Sequence, residues 1–181
     1  MWQQVNEQYG SNDFEIVAVA MDAQGADKPR PFMQKAGATF RCLLDSENLL
    51  AKTFGFKAVP NGILVDEQGN VVYQKFGGFD IQKPETRQII ETWLGAGSVG
   101  DAESTRCVGL DGRVLMLFDE GLAAYRGGDV EGARANWREA SVLDPHNYVI
   151  HKQLWAIENP ERFYGERVDM AWQKEQLAQG D

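Results

Sequence analysis

The chain has 181 residues, an apolar fraction of 43% and a formal net charge of -9 at pH 7, which suits one generous domain or two small ones with an ordinary globular composition. With 27 acidic against 18 basic residues and no basic cluster, it lacks the footprint that nucleic acid or an anionic membrane surface requires. No run approaches the roughly 18 apolar residues of a membrane span, and the polar start Met1-Trp2-Gln3-Gln4-Val5 has no export-signal pattern, so the chain as written reads as soluble.

In chain order, Trp2, Val5 and Tyr9 share one face of a short helix that Gly10 can stop. Phe14 to Met21 is a near-continuous apolar run with β-branched residues, the pattern of a strand buried on both faces of a parallel sheet. After a polar loop, Pro31 suits the first turn of a helix running to Gly37. Thr39 to Leu44 predicts a second strand, and Asp45 or Ser46 can cap a helix through Leu49, Leu50 and Phe54, ending at Gly55.

The pattern then changes. Gly62 to Asp66 and Val71 to Phe76 flank the turn signal Glu67-Gln68-Gly69-Asn70, which predicts an antiparallel hairpin. Pro84 opens a helix carrying Ile89, Ile90, Trp93 and Leu94, and Gly95 to Gly100 reads as a linker. Beyond it, helices are expected over 113–126, 130–143, 147–157 and 160–177, separated by Gly127-Gly128-Asp129, Asp144-Pro145-His146 and Asn159-Pro160. A small hairpin at 108–112 is the minor alternative there.

Cys42 and Cys107 are too distant in sequence to form a Cys-x-x-Cys pair or clustered zinc ligands. Cys42 alternates with Phe40 and Leu44 and is expected to be inert core filler, and Cys107, beside Arg106, an inert linker thiol. His146 and His151 lack the four-residue spacing of two ligands on one helix face. The expectation is therefore no catalytic residue, no metal and no cofactor in the chain as written. So few cysteines leave the compartment open.

The order strand, helix, strand, helix, hairpin, helix, together with Phe54-Gly55-Phe56-Lys57-Ala58-Val59-Pro60-Asn61-Gly62-Ile63-Leu64-Val65-Asp66-Glu67-Gln68-Gly69 and Val17-Ala18-Val19-Ala20-Met21-Asp22, resembles the thioredoxin-like superfamily, and within it the TlpA/ResA-like redoxins. The resemblance covers residues 1–95. It implies an α/β, thioredoxin-like three-layer sandwich in which Pro60 is the cis-proline facing the redox cysteines and the Val59 backbone pairs with an extended substrate segment. It also implies a protein or peptide thiol or disulfide as partner of the full-length form, in the oxidoreductase and antioxidant class of bacterial proteins. An AhpC-like peroxidase is a variant of the same class, although the expected arginine near the Pro60 hairpin is not evident.

The family's chemistry needs a cysteine at a helix N-terminus, where the dipole and free N–H groups favour the thiolate. In the family that helix leads into what resembles Trp2 to Tyr9, so the chain is expected to be cut in front, with Met1 an internal methionine and any export or anchoring signal in the missing part. The first strand, which in such a sheet lies between the Phe14 and Gly62 strands, is then absent too. Those two strands would stand about 10 Å apart instead of about 4.8 Å, and the expectation is that they close up or that another segment fills the slot.

In the tail, Gly121, Gly128, Ala133, Trp137, Ala140 and Pro145, with Leu117 ahead of them, resemble the pattern of one tetratricopeptide repeat, or TPR. The domains expected are thus 1–95 redoxin, 96–112 linker and 113–181 an all-α TPR-like region. That region is expected to be chiefly a structural appendage, with a peptide groove at Leu117 and Trp137 as the sharper alternative.

Overall fold

The computed structural model describes residues 1–10, 14–100, 103–104 and 109–179; Cys107, and with it any pairing to Cys42, lies outside them. The chain forms two compact units, Met1–Asp45 with Ala58–Val108, and Ser46–Lys57 with Gly109–Asp181. Residues 46–57, which the expected division keeps within 1–95, pack in the second unit. Among the described residues no helix is long and apolar enough to cross a membrane.

The first unit contains α1 (Trp2–Tyr9), β1 (Val17–Ala20), α2 (Arg30–Lys35), β2 (Arg41–Leu44), and, after the excursion into the second unit that carries α3 (Leu49–Phe54), β3 (Gly62–Val65), β4 (Val71–Lys75) and α4 (Pro84–Ala96). β1 pairs with β2 in parallel, Val17 opposite Arg41 and Ala20 opposite Leu44, and β3 pairs with β4 antiparallel, Gly62 opposite Lys75. Among the described residues these are two separate two-stranded sheets. The Phe14 and Gly62 strands have neither closed up nor had the slot between them filled among the described residues.

That separation explains a second departure. A parallel pair is normally covered on both faces, yet Val17, Val19 and all four residues of β2 are exposed. The core of this unit lies instead under the hairpin and α4, where Val5, Leu64, Tyr73, Phe79, Ile81 and Ile90 are buried, with Trp2, Ile16 and Trp93 packed against them. α1 is tied down by Gln3, whose Oε1 accepts the Thr39 N–H at 2.8 Å. The hairpin turn is held by Asp66, which accepts from Gln68 N and Asn70 N at 3.0 and 2.7 Å, with Gly69 at φ 84°. Bonds from Asn70 hold the Asp66 carboxyl below the usual aspartate range.

In the second unit α5 (Gly112–Arg126), α6 (Val130–Leu143) and α7 (Tyr148–Glu158) follow in succession, α5 on α6 and α6 on α7. No hairpin precedes α5 among the described residues. Asp111 caps it instead, its side chain accepting from Arg113 N and Val114 N at 2.8 and 3.2 Å. The expected helix over 160–177 is two helices, α8 (Pro160–Tyr164) and α9 (Met170–Gln179). The break falls at Gly165, which is extended at φ -74°, ψ -162°. Asp169 closes the interruption, accepting from Trp172 N at 3.0 Å and from Arg162 at 2.7 Å. Those bonds hold its carboxyl below the usual range. Phe163, Trp155 and Trp172 pack edge to face around them.

Candidate functional site

The Val59–Pro60 turn leads directly into β3, and its peptide bond is cis. The Pro60 carbonyl accepts the Phe79 N–H at 3.1 Å, and Asn61 Oδ1 accepts the Gly77 N–H at 2.7 Å. The returning segment after β4 is thus stitched to the segment before β3. Gly77 and Gly78, at φ 75° and 74°, make that return in a conformation that side chains with a Cβ rarely adopt.

Beneath the turn sits Phe79. A Cβ on Gly62 would come within 2.5 Å of Phe79 Cγ, so the first residue of β3 has to be glycine for the ring to lie where it does. Phe79 stacks on Trp2 at 6.0 Å and leans on Tyr73 at 6.4 Å. Burial pushes the Tyr73 phenol upward. Phe79 is thus buried among apolar neighbours and hydrogen-bonded to a turn whose own residues, Val59 at 38% and Pro60, are exposed. Among the described residues Val59 makes no backbone hydrogen bond. Backbone groups without a partner on an exposed residue next to a strand start are what an extended peptide uses for main-chain pairing.

Cys42 corrects the expectation made for it. It is exposed, because among the described residues β2 pairs on one edge, with β1, and all four of its residues are exposed. Its Sγ lies 3.7 Å from the Leu43 carbonyl. Ala18 stands opposite it in the ladder, and it belongs to a different element from Pro60.

Leu117 and Trp137 are corrected as well. They are 2% and 0% exposed and offer no surface to a peptide. Trp137 Nε1 donates to the Phe118 carbonyl at 3.1 Å, and its ring stacks on Phe118 at 5.9 Å. The other residues of the pattern also have packing roles. Ala133 and Ala140 are fully buried, Gly121 faces the Trp137 indole, and Gly128 turns the chain at φ 84°. His151 is buried, its Nε2 lying 3.1 Å from the Pro145 carbonyl, which makes it a core residue. Among the described residues no cluster of His, Cys, Asp or Glu could hold a metal ion.

Residues missed by pattern reading are those that tie 46–57 into the second unit. Lys52 pairs with Asp119, Lys57 with Asp144, and Arg126 with Glu47. Paired charges of this kind have no periodicity to betray them.

Residues 2–90 match the family model described as Redoxin. A Redoxin domain implies a thioredoxin-like fold and chemistry on protein thiols, and α1 to β4 with most of α4 lie inside the match. No curated protein and no solved structure matches the chain.

Proposed function

We propose that residues 2–90 are the later part of a TlpA/ResA-like thiol-disulfide oxidoreductase domain, carrying its substrate-pairing turn at Val59 and Pro60 without its cysteine pair. The observation that carries this reading is Val59, an exposed residue whose backbone makes no hydrogen bond among the described residues, at the mouth of β3 within the Redoxin match. Among the described residues β1 and β3 each pair on one edge, which supports it, since the other edges could take a further strand carrying the Cys-x-x-Cys. In the complete domain a thiolate attacks one sulfur of a substrate disulfide, the other leaves as a thiolate, and the resulting mixed disulfide is resolved by the second cysteine.

The test is insulin disulfide reduction in the presence of dithiothreitol. The 181-residue chain is expected to give background turnover. The same chain extended by its upstream coding sequence is expected to reduce insulin, with activity abolished by serine at the first upstream cysteine. Robust turnover by the 181-residue chain that disappears on Cys42→Ser overturns the reading.

A second reading concerns α5 and α6, proposed as a TPR-like helix pair that holds a peptide. The fit of Gly121 against Trp137, with Ala133 and Ala140 fully buried between helices, supports it. With Leu117 and Trp137 in the core, the peptide-facing side has to be another face of α5.

A further inference from the structure

That other face is occupied. Asp119 and Arg126 are two turns apart on α5 and so point the same way. Lys52 Nζ lies 2.6 Å from Asp119 Oδ1. Arg126 reaches Glu47 Oε1 and Ser46 Oγ, both at 3.2 Å. The segment 46–57 therefore runs antiparallel to α5, its acidic start at the basic end of that helix and its lysine at the acidic position. Its last residue is fixed twice more: Lys57 Nζ pairs with Asp144 at 2.8 Å, and the Lys57 carbonyl accepts the Val149 N–H at 3.2 Å.

We infer that Asp119, Arg126, Asp144 and the Val149 N–H form a peptide-docking face whose occupant is the chain's own segment 46–57. Three features argue for this. The charges are complementary in order along the segment, with Glu47, Lys52 and Lys57 meeting Arg126, Asp119 and Asp144, and such pairs set register and partner choice more than affinity. Within the segment Ala51 and Phe56 are 1% and 4% exposed, the buried anchors expected inside a rim of charge. α3 has six residues, below the length at which a helix holds in water by itself, so its order comes from docking.

The inference rests on the peptide-holding reading of α5 and α6 and is independent of the redox one. An external peptide of the same pattern competes with a resident, so the wild-type chain is closed to it.

The experiment uses the full chain and fluorescein-labelled synthetic peptides of residues 46–57, in the native sequence and with Glu47→Lys and Lys52→Glu. In D119K/R126E chain, amide exchange across 46–57 is expected to rise at least about tenfold as the segment opens locally, while 130–143 stays protected. This variant is expected to bind the charge-swapped peptide at least about tenfold more tightly than the native one, a preference of about 1.4 kcal/mol. Wild-type chain is expected to bind neither, and adding E47K/K52E in cis to the variant is expected to restore protection and abolish binding. Unchanged exchange over 46–57 in the variant, or equal binding of peptide by wild-type and variant chains, overturns the assignment of the occupant. Released exchange with no binding of either peptide overturns the peptide-holding reading itself. If 130–143 also lose protection in the variant but not in the fourfold swap, the restoration by matched charges decides for the inference; failure to restore decides against it.

Discussion

The indole of Trp137 lies where a side chain on Gly121 would have to stand: a Cβ built on Gly121 comes within 2.5 Å of Trp137 Cδ1. The ring cannot simply swing away, because its Nε1 donates to the buried Phe118 carbonyl. Close approach of α5 and α6 is thus a property of one glycine and one tryptophan together. Gly121→Ala gains about 1 kcal/mol in helix propensity and is expected to lose more through overpacking, for a net destabilisation of about 1–2 kcal/mol. Urea unfolding followed by far-UV circular dichroism measures it. A neutral or stabilised variant would show that the contact is slack.

The pairing of Gly62 with Phe79 makes a parallel case in the first unit. Gly62→Ala is expected to drive Phe79 from its stack on Trp2 and to destabilise by about 1–3 kcal/mol. Phe79→Ala by itself is expected to cost about 3–5 kcal/mol through the cavity it leaves. Because the added methyl enters the space the ring vacates, the double variant should be less unstable than the sum by about 0.5 kcal/mol or more. Additive costs in a double-mutant cycle would separate the two residues.

Much of this architecture was written locally. The stops at Gly10 and Gly55, the Glu67-Gln68-Gly69-Asn70 turn and the prolines at 84 and 160 mark boundaries found where single residues set the local backbone, whereas α4 runs on to Ala96, past the Gly95 at which the linker was expected to begin. The cis Val59–Pro60 bond was legible only through the resemblance of Phe54 to Gly69 to the redoxins, since nothing in the dipeptide itself distinguishes cis from trans. Burial was less so. Cys42 and Val19 sit in apolar runs that look like core, but whether an apolar strand is covered depends on the rest of the sheet and not on the run. Leu117 and Trp137 were legible as a packing pattern, and the peptide groove offered there as the alternative fails because the same small and aromatic residues let helices close on one another. The docking of 46–57 depends on single charges distant in sequence, for which no local signal exists.

Asp111 supplies two hydrogen bonds to the open N–H groups at the start of α5. Asp111→Ala is expected to cost about 0.5–2 kcal/mol, and Asp111→Asn only a small part of that, since both oxygens cap equally well. Thermal unfolding of the two variants in parallel checks this. Equal losses would mean that the charge, and not the cap, was stabilising.

Lys152, half-buried on α7, has its ammonium pushed below the ordinary lysine range by loss of water. Its folded-state pKa therefore lies under its unfolded one, and the unfolded chain binds the extra proton. The sign follows: the buried charge is a penalty at all pH below the folded pKa, and it is relieved as pH rises through that value towards 10.5. Lys152→Met is accordingly expected to be more stable than wild type at pH 7, with the advantage shrinking at pH 10. An advantage that is constant with pH would assign the effect to packing.

Cys42 gives the most direct check on the open β1–β2 pair. A thiol inside a core reacts with Ellman's reagent only when the chain unfolds, whereas one on an uncovered strand reacts in the native state. In a Cys107→Ser background the Cys42 thiol is expected to label to completion without denaturant. The extended chain used for the redox test supplies the contrast: if an added strand pairs with β1 and brings cover to the sheet, Cys42 in that form should label more slowly than in the 181-residue chain. Equal labelling in both would mean that the extra residues leave the sheet as open as before, and would separate the exposure of β2 from the proposed upstream strand.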